Sequence, residues 1–107
     1  MDSRYGQKEK KMAITKRTEE DKIEVVGPYK SIQVRTATVI EEDGVELSRS
    51  FHRHLLQCVQ SIKNGSNWTH TDTDVSGESS EVQAIASAVW TTDVKNAKKT
   101  ANENSGI

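Results

Sequence analysis

The sequence has few of the residues that support a disulfide-bonded fold, a metal cluster or a membrane span. Among its 107 residues the single cysteine is Cys58, which excludes an intramolecular disulfide and a four-cysteine metal site. No apolar run approaches the ~18 residues that a membrane helix requires, and the N-terminal residues lack the apolar segment of a signal peptide. The sequence therefore predicts a chain that is not secreted by a signal peptide and has no membrane partner.

Apolar residues are also scarce, at 33% of the chain, against roughly 45–50% in ordinary globular proteins counted with glycine. A chain of this length allows one domain with a modest core. Either its ends lie outside that core, or other subunits complete the fold. The 15 basic and 16 acidic residues give a net charge of −1, which disfavours nucleic acid as a partner.

The strongest pattern lies in residues 30–56, where apolar residues recur at alternate positions on both sides of Asp43-Gly44. Alternation is typical of strands and Asp-Gly of tight turns, so this stretch predicts a long antiparallel β-hairpin. The loop has two residues, or four if it starts at Glu41. Both loops place even positions of the first strand beside odd positions of the second. The predicted buried face carries Ile32, Val34, Thr36, Thr38, Ile40, Leu47, Phe51 and Leu55.

Helical spacing replaces alternation near the C-terminus. An i, i+3, i+4, i+7 pattern begins after Ser79 or Ser80, the predicted N-cap. Its predicted core positions are Val82, Ile85, Ala86, Val89 and Trp90. A second short helix is predicted from Asp93 to about Ala101, and one continuous helix is the alternative.

The remaining segments are polar. Residues 1–21 mix both signs of charge and predict a flexible arm, and residues 102–107 predict a frayed tail. Residues 22–27 predict a short strand, and residues 57–78 a surface loop with a turn at Asn64-Gly65 and an optional short strand at Val59 and Ile62. The predicted fold is a single small α+β domain over residues 22–101, a hairpin plus a short strand packed by one or two C-terminal helices.

Histidines offer the strongest candidate for a metal site. His52 and His54 share a face of the predicted strand, about 7 Å apart, and His70, Asp72 and Asp74 could supply further ligands. No Glu-x-x-His motif or cysteine pair accompanies them, so we expect solvated histidines and no cofactor. The sequence also lacks a Gly-x-Ser-x-Gly elbow and a phosphate-binding glycine pattern, so we expect no enzymatic activity.

A small open sheet leaves strand edges that must be paired or blunted. This favours a protein that associates through its hairpin. The residues predicted to face a partner are Arg35, Arg49, His52, Arg53 and His54. The alternative hypothesis is a small metal- or ligand-binding β-domain that uses His52, His54 and His70.

Two segments, KIEVVGPYKSIQVRTATVIEEDGVELSRSFHRHLL and SGESSEVQAIASAVWTTDVKNA, resemble small uncharacterised proteins of marine bacteriophages, in which a hairpin with an SRSFHRH-like end precedes a variable loop and a helical pair. The resemblance covers roughly residues 12–101. It implies a structural or accessory protein of the virion, with other copies or other virion proteins as partners. It also implies a location in the host cytoplasm during assembly and then in the virion.

Overall fold

The computed structural model describes residues 13–105. In chain order the elements are β1 (Ile14–Val26), β2 (Ser31–Glu42), β3 (Val45–Leu56), β4 (Val59–Asn64), β5 (Asn67–Asp72), α1 (Ser80–Val89) and α2 (Thr92–Ser105). One sheet has the strand order β1-β2-β3, and a second sheet pairs β4 with β5. The predicted α+β class, with a long hairpin and two C-terminal helices, is confirmed. Neither helix in this part of the chain is long and apolar enough to cross a membrane.

The described chain divides into two compact units. The hairpin unit consists of residues 13–22 and Val34–Arg53, which are parts of β1, β2 and β3. The helical unit consists of Ile23–Gln33 and residues 54–105, which include β4, β5 and both helices. Each unit has its own buried residues and is described separately.

The hairpin turns on the two-residue loop Asp43-Gly44, one of the two predicted loops. Both residues have positive φ, 51° at Asp43 and 84° at Gly44, as a type I′ turn requires. Asparagine, aspartate and glycine adopt this conformation most readily, which explains why this pair forms the turn. The Asp43 amide donates to the Ala13 carbonyl at 3.1 Å, so the start of β1 lies beside the turn.

β1 begins at Ile14, inside the segment for which the sequence predicts a flexible arm. Residues 1–12 of that segment lie outside the described residues. The charges that conceal the strand in the sequence form cross-strand ion pairs with β2. Arg17 pairs with Glu41 at 3.3 Å, and Arg35 donates to both carboxylate oxygens of Asp21 at 2.9 and 2.8 Å. Opposite charges on neighbouring strands stabilise a sheet without apolar side chains.

Burial along β2 changes from even to odd positions part-way along the strand. Ile32 and Val34 are fully buried, as the alternation predicts, but so are Ala37 and Val39 at odd positions. The prediction of a single even face is therefore wrong in the outer half of β2. The even residues there are half-buried: Thr36, Thr38 and Ile40.

β3 departs furthest from the prediction. Leu47, Phe51 and Leu55, which the alternation predicts as core residues, are 55%, 45% and 54% exposed. The hairpin unit contains strands and no helix, so that unit has no second layer to cover Leu47 and Phe51. Leu55 belongs to the helical unit, where it is also on the surface.

The helical unit has an apolar core. Its buried apolar residues are Ile32, Cys58, Val59, Val82, Ala86 and Trp90. The Trp90 indole Nε1 donates to the Lys30 carbonyl at 2.7 Å, which fixes the ring to the turn between β1 and β2. Lys30 has a φ of 54°, an uncommon value for a residue with a side chain. Two further predicted core residues, Ile85 and Val89, are half-buried.

The C-terminal helices are separate, which decides between the two predicted arrangements. Ser79 is the N-cap of α1, and its hydroxyl accepts a hydrogen bond from the Val82 amide at 3.2 Å. The Thr91 hydroxyl accepts from the Val94 amide at 3.3 Å and begins α2 in the same way. α2 continues to Ser105, so the predicted frayed tail is helical up to that residue.

The predicted surface loop contains a second hairpin. β4 and β5 pair antiparallel from Val59 opposite Asp72 to Asn64 opposite Asn67, and the predicted turn is present at Gly65, with a φ of 62°. α2 packs against both strands. Polar composition conceals this hairpin because much of its contact with α2 is made by hydrogen bonds.

Candidate interaction surface

Two of the three arginines that are predicted to face a partner, Arg35 and Arg49, make contacts within the hairpin unit. Arg35 binds Asp21 and places its guanidinium 4.3 Å from the centre of the Phe51 ring. Arg49 donates to both carboxylate oxygens of Glu46, at 2.9 and 3.1 Å. The hydrogen bonds from Arg35 hold the pKa of Asp21 below its usual value, and those from Arg49 lower the pKa of Glu46.

These contacts join into an ion-pair layer that extends over three strands. Its members are Arg17, Glu19, Asp21, Arg35, Glu41, Glu46 and Arg49. Ion pairs that water can reach contribute little free energy each. The layer also links the strands, since Asp21 on β1 contacts both Arg35 on β2 and Arg49 on β3.

The residues predicted as metal ligands have separate partners. His54 lies 2.9 Å from the Glu78 carboxylate, and Asp72 pairs with Lys95 at 3.1 Å. Asp74 accepts a hydrogen bond from the Ser76 amide, which lowers its pKa. Among residues 13–105, no group of three or more histidine, cysteine or acidic side chains is arranged to hold a metal ion.

The last of those histidines, His70, is at the centre of a hydrogen-bonded chain in the helical unit. Asn102 donates from Nδ2 to the Ser61 hydroxyl at 2.8 Å, and that hydroxyl lies 2.8 Å from His70 Nδ1. His70 Nε2 lies 2.6 Å from the Glu103 carboxylate. The Glu103 carboxylate can only accept, so His70 donates to it from Nε2. In that tautomer Nδ1 accepts from the Ser61 hydroxyl, whose oxygen accepts from Asn102. These hydrogen bonds connect β4 and β5 to α2, and the Ser61 hydroxyl is bonded to both Asn102 and His70.

A cleft of about 320 Å³ opens in the helical unit. Its lining residues are Asp72, Thr73, Val75, Ala86, Ser87, Trp90 and Lys95. The two charged residues of this lining are Asp72 and Lys95, which are paired with each other. The Thr73 hydroxyl donates to the Gln57 carbonyl. The cleft therefore has its main polar groups satisfied within the unit.

Cys58 is 1% exposed, and burial raises the pKa of its thiol. A thiol with a raised pKa is protonated at neutral pH, whereas nucleophilic attack requires the thiolate. Cys58 is therefore a packing residue of the helical-unit core.

The outer edge of β3 is different from every surface described above. The order β1-β2-β3 places β3 at one edge of the sheet and β1 at the other. In the hairpin unit β3 exposes Val45, Leu47 and Phe51, at 65%, 55% and 45%. Charged residues, which blunt an edge, dominate β1 between Lys16 and Lys22. We define the β3 edge as residues 45–53 and take it as the candidate interaction surface.

The sequence contains a signal for this surface, although the alternation rule assigns Leu47 and Phe51 to the core. Alternation shows which residues share a face, but not whether another layer covers that face. Arg49 and Arg53 occupy the same parity as Leu47 and Phe51, and long cations recurring in an apolar stripe favour a solvent-facing or partner-facing surface over a core. His52 and Arg53, also predicted to face a partner, are exposed within the β3 edge.

Comparison of the chain with protein-family models, curated proteins and solved structures gives no match. The candidate surface is therefore defined by the geometry of β3 and by the contrast between the two edges of its sheet.

Proposed function

We propose that the protein is a non-catalytic structural subunit that acts by associating with other subunits, as a component of a bacteriophage virion or of its assembly. One observation carries the association: the β3 edge exposes Val45, Leu47 and Phe51 beside backbone groups that point away from β2. An apolar edge strand is a template for another chain, and native proteins pair or blunt such edges.

The bacteriophage assignment draws on the resemblance of the hairpin and helical segments to small proteins of marine bacteriophages. A chain with few apolar residues suits a particle in which subunits complete one another's buried surface. The partners proposed are further copies of the chain or other virion proteins, met in the host cytoplasm during assembly and retained in the virion.

The non-catalytic part of the proposal is supported by the state of the candidate nucleophiles. The Cys58 thiol is buried with a raised pKa, and the Ser61 hydroxyl is engaged by Asn102 and His70. A metal- or ligand-binding role for His52, His54 and His70 gains no support from the geometry, since His54 and His70 contact different carboxylates.

Light scattering of the purified chain tests the proposal. We expect a mass of at least two chains for the wild type, and a loss of association of about thirtyfold or more in Leu47→Lys, because removing a buried leucine costs about 2 kcal/mol at an interface. The matched control is Ile62→Lys, an apolar residue of β4 that is 62% exposed against 55% for Leu47.

The control should associate as the wild type does. A wild-type chain that is monomeric at high concentration would overturn the proposal. Equal loss in both variants would show that association does not depend on the β3 edge.

A further inference from the structure

We infer that the β3 edge pairs antiparallel with the β3 edge of a second copy. The twofold axis that relates the two strands lies midway between the two Ser50 residues. The inference rests on the proposed association and adds its partner and its register. The paired copies would form one sheet with the strand order β1-β2-β3-β3-β2-β1, in which both free edges are the charged strand β1.

Symmetry limits the registers. A strand that pairs antiparallel with its own copy has its twofold axis perpendicular to the sheet, so residues of equal parity face each other. The axis then lies midway between one residue and its own copy, and the positions near the middle of β3 are Arg49, Ser50 and Phe51.

Charge selects among these three positions. An axis at Arg49 places two Arg49 side chains opposite each other, and an axis at Phe51 places Arg49 opposite Arg53 twice. Like charges directly opposite on neighbouring strands destabilise the pair. Of these three positions, only Ser50 avoids both arrangements.

The Ser50 register also makes favourable pairs. Arg49 faces Phe51 of the second copy on both sides of the axis, so a guanidinium can lie over each ring. Phe51 already accepts this kind of contact within one chain, with Arg35 at 4.3 Å, and it is still 45% exposed. Leu47 faces Arg53 of the second copy and packs on its aliphatic stem. The axis itself carries serine, whose small side chain lets the two strands approach.

Cysteine cross-linking tests this register with a matched pair of variants. In Ser50→Cys the two new thiols face each other across the axis, at a separation that a disulfide spans. In Ser48→Cys, the same substitution at another exposed serine of β3, the thiols are offset by about 13 Å along the strand, beyond disulfide reach. The native Cys58 is common to both variants and is 1% exposed, so the wild type gives the background.

On mild oxidation we expect most of the Ser50→Cys chain to become a disulfide dimer, at least roughly tenfold more than Ser48→Cys or the wild type. A mixture of Ser48→Cys and His52→Cys should give the mixed dimer, because position 48 faces position 52 of the second copy. This mixture provides the test if Ser50→Cys does not fold.

The possible failures are distinguishable. A wild type that associates in light scattering, while neither Ser50→Cys nor the mixture cross-links above background, overturns the register and leaves the proposed function standing. Preferential dimers of Ser48→Cys alone would also overturn the register. A monomeric wild type overturns both the register and the proposed function. Association that appears only when another protein is present overturns the inference that the partner is a second copy.

Discussion

The two units of the chain bury apolar residues in different ways. The helical unit packs apolar side chains from strands and helices into one core and anchors Trp90 by a hydrogen bond to Lys30. The hairpin unit buries Val34, Ala37 and Val39 of β2, and its charged side chains form ion pairs between strands. Its larger apolar side chains on β3 remain exposed.

The contrast indicates that the two units are stabilised by different contacts. The helical unit has a second layer over its strands, so its stability should depend on side chains inside one chain. The hairpin unit has one layer, and its ion pairs stabilise weakly because water reaches them. Association through the β3 edge would therefore bury the apolar area that the hairpin unit leaves exposed. Three substitutions test this comparison, beginning with the largest expected effect.

Trp90→Ala should cost about 3–5 kcal/mol of the free energy of unfolding, because it leaves a cavity in the helical-unit core. It also removes the donor to the Lys30 carbonyl. Urea denaturation followed by circular dichroism measures the loss. Trp90→Phe, which keeps most of the ring, separates the two contributions and should cost less.

The matched control is Trp68→Ala. Trp68 is half-buried on β5, 5.7 Å from Lys63 Nζ and 6.1 Å from the His70 ring, so its removal should cost only about 1 kcal/mol. Losses of equal size in Trp90→Ala and Trp68→Ala would contradict the claim that the helical unit depends on its buried core.

Much of the fold follows from sequence pattern because the relevant signals are local. Asp43-Gly44 specifies its turn by backbone conformation, and Ser79 specifies a helix start by its hydroxyl. Local pattern predicts only the end of β1, at residues 22–27, and an optional strand at Val59 and Ile62; it predicts neither the first half of β1 nor the pairing of β4 with β5. The stability of these strands comes from contacts with residues distant in sequence, such as Arg35 with Asp21 and Asn102 with Ser61, which no local pattern of apolar residues reveals.

The candidate surface is harder to predict than the strand that carries it. Alternation correctly groups Leu47 with Phe51, yet whether that group is core or surface depends on which elements lie above it. Arg35 and Arg49 illustrate the same limit, because each is an exposed cation by pattern and an ion-paired residue in the fold. Whether a residue of these strands is buried, ion-paired or exposed therefore required the three-dimensional arrangement.

Asn102→Ala should cost about 1–3 kcal/mol, because it removes the donor to the Ser61 hydroxyl in a partly buried hydrogen-bonded chain. Asn102 is 7% exposed, whereas Asn104, two positions later on α2, is exposed. Asn104→Ala is therefore the control, with an expected change within about 0.5 kcal/mol. Thermal denaturation of both variants measures the difference, and equal effects would show that α2 is not held through this chain.

Asp21→Asn should have the smallest effect, and its pH dependence is more informative than its size. The hydrogen bonds from Arg35 hold the pKa of folded Asp21 below its ordinary value of 3.8. A depressed pKa means that the carboxylate stabilises the fold above the unfolded value, and that this contribution is lost as the pH falls through the folded value. The wild type should therefore melt above Asp21→Asn at pH values above about 5, and the gap should close as the pH falls from 3.8 through the lower pKa of folded Asp21.

Asp43→Asn, also in the hairpin unit, removes one negative charge at a turn position that asparagine accepts. Its melting temperature should follow that of the wild type across the same pH range. If the gap between the wild type and Asp21→Asn widened on acidification, the contact between Asp21 and Arg35 could not be its source. The ion-pair layer would then lose its role in the hairpin unit, and the buried side chains of β2 and association through β3 would remain as sources of its stability.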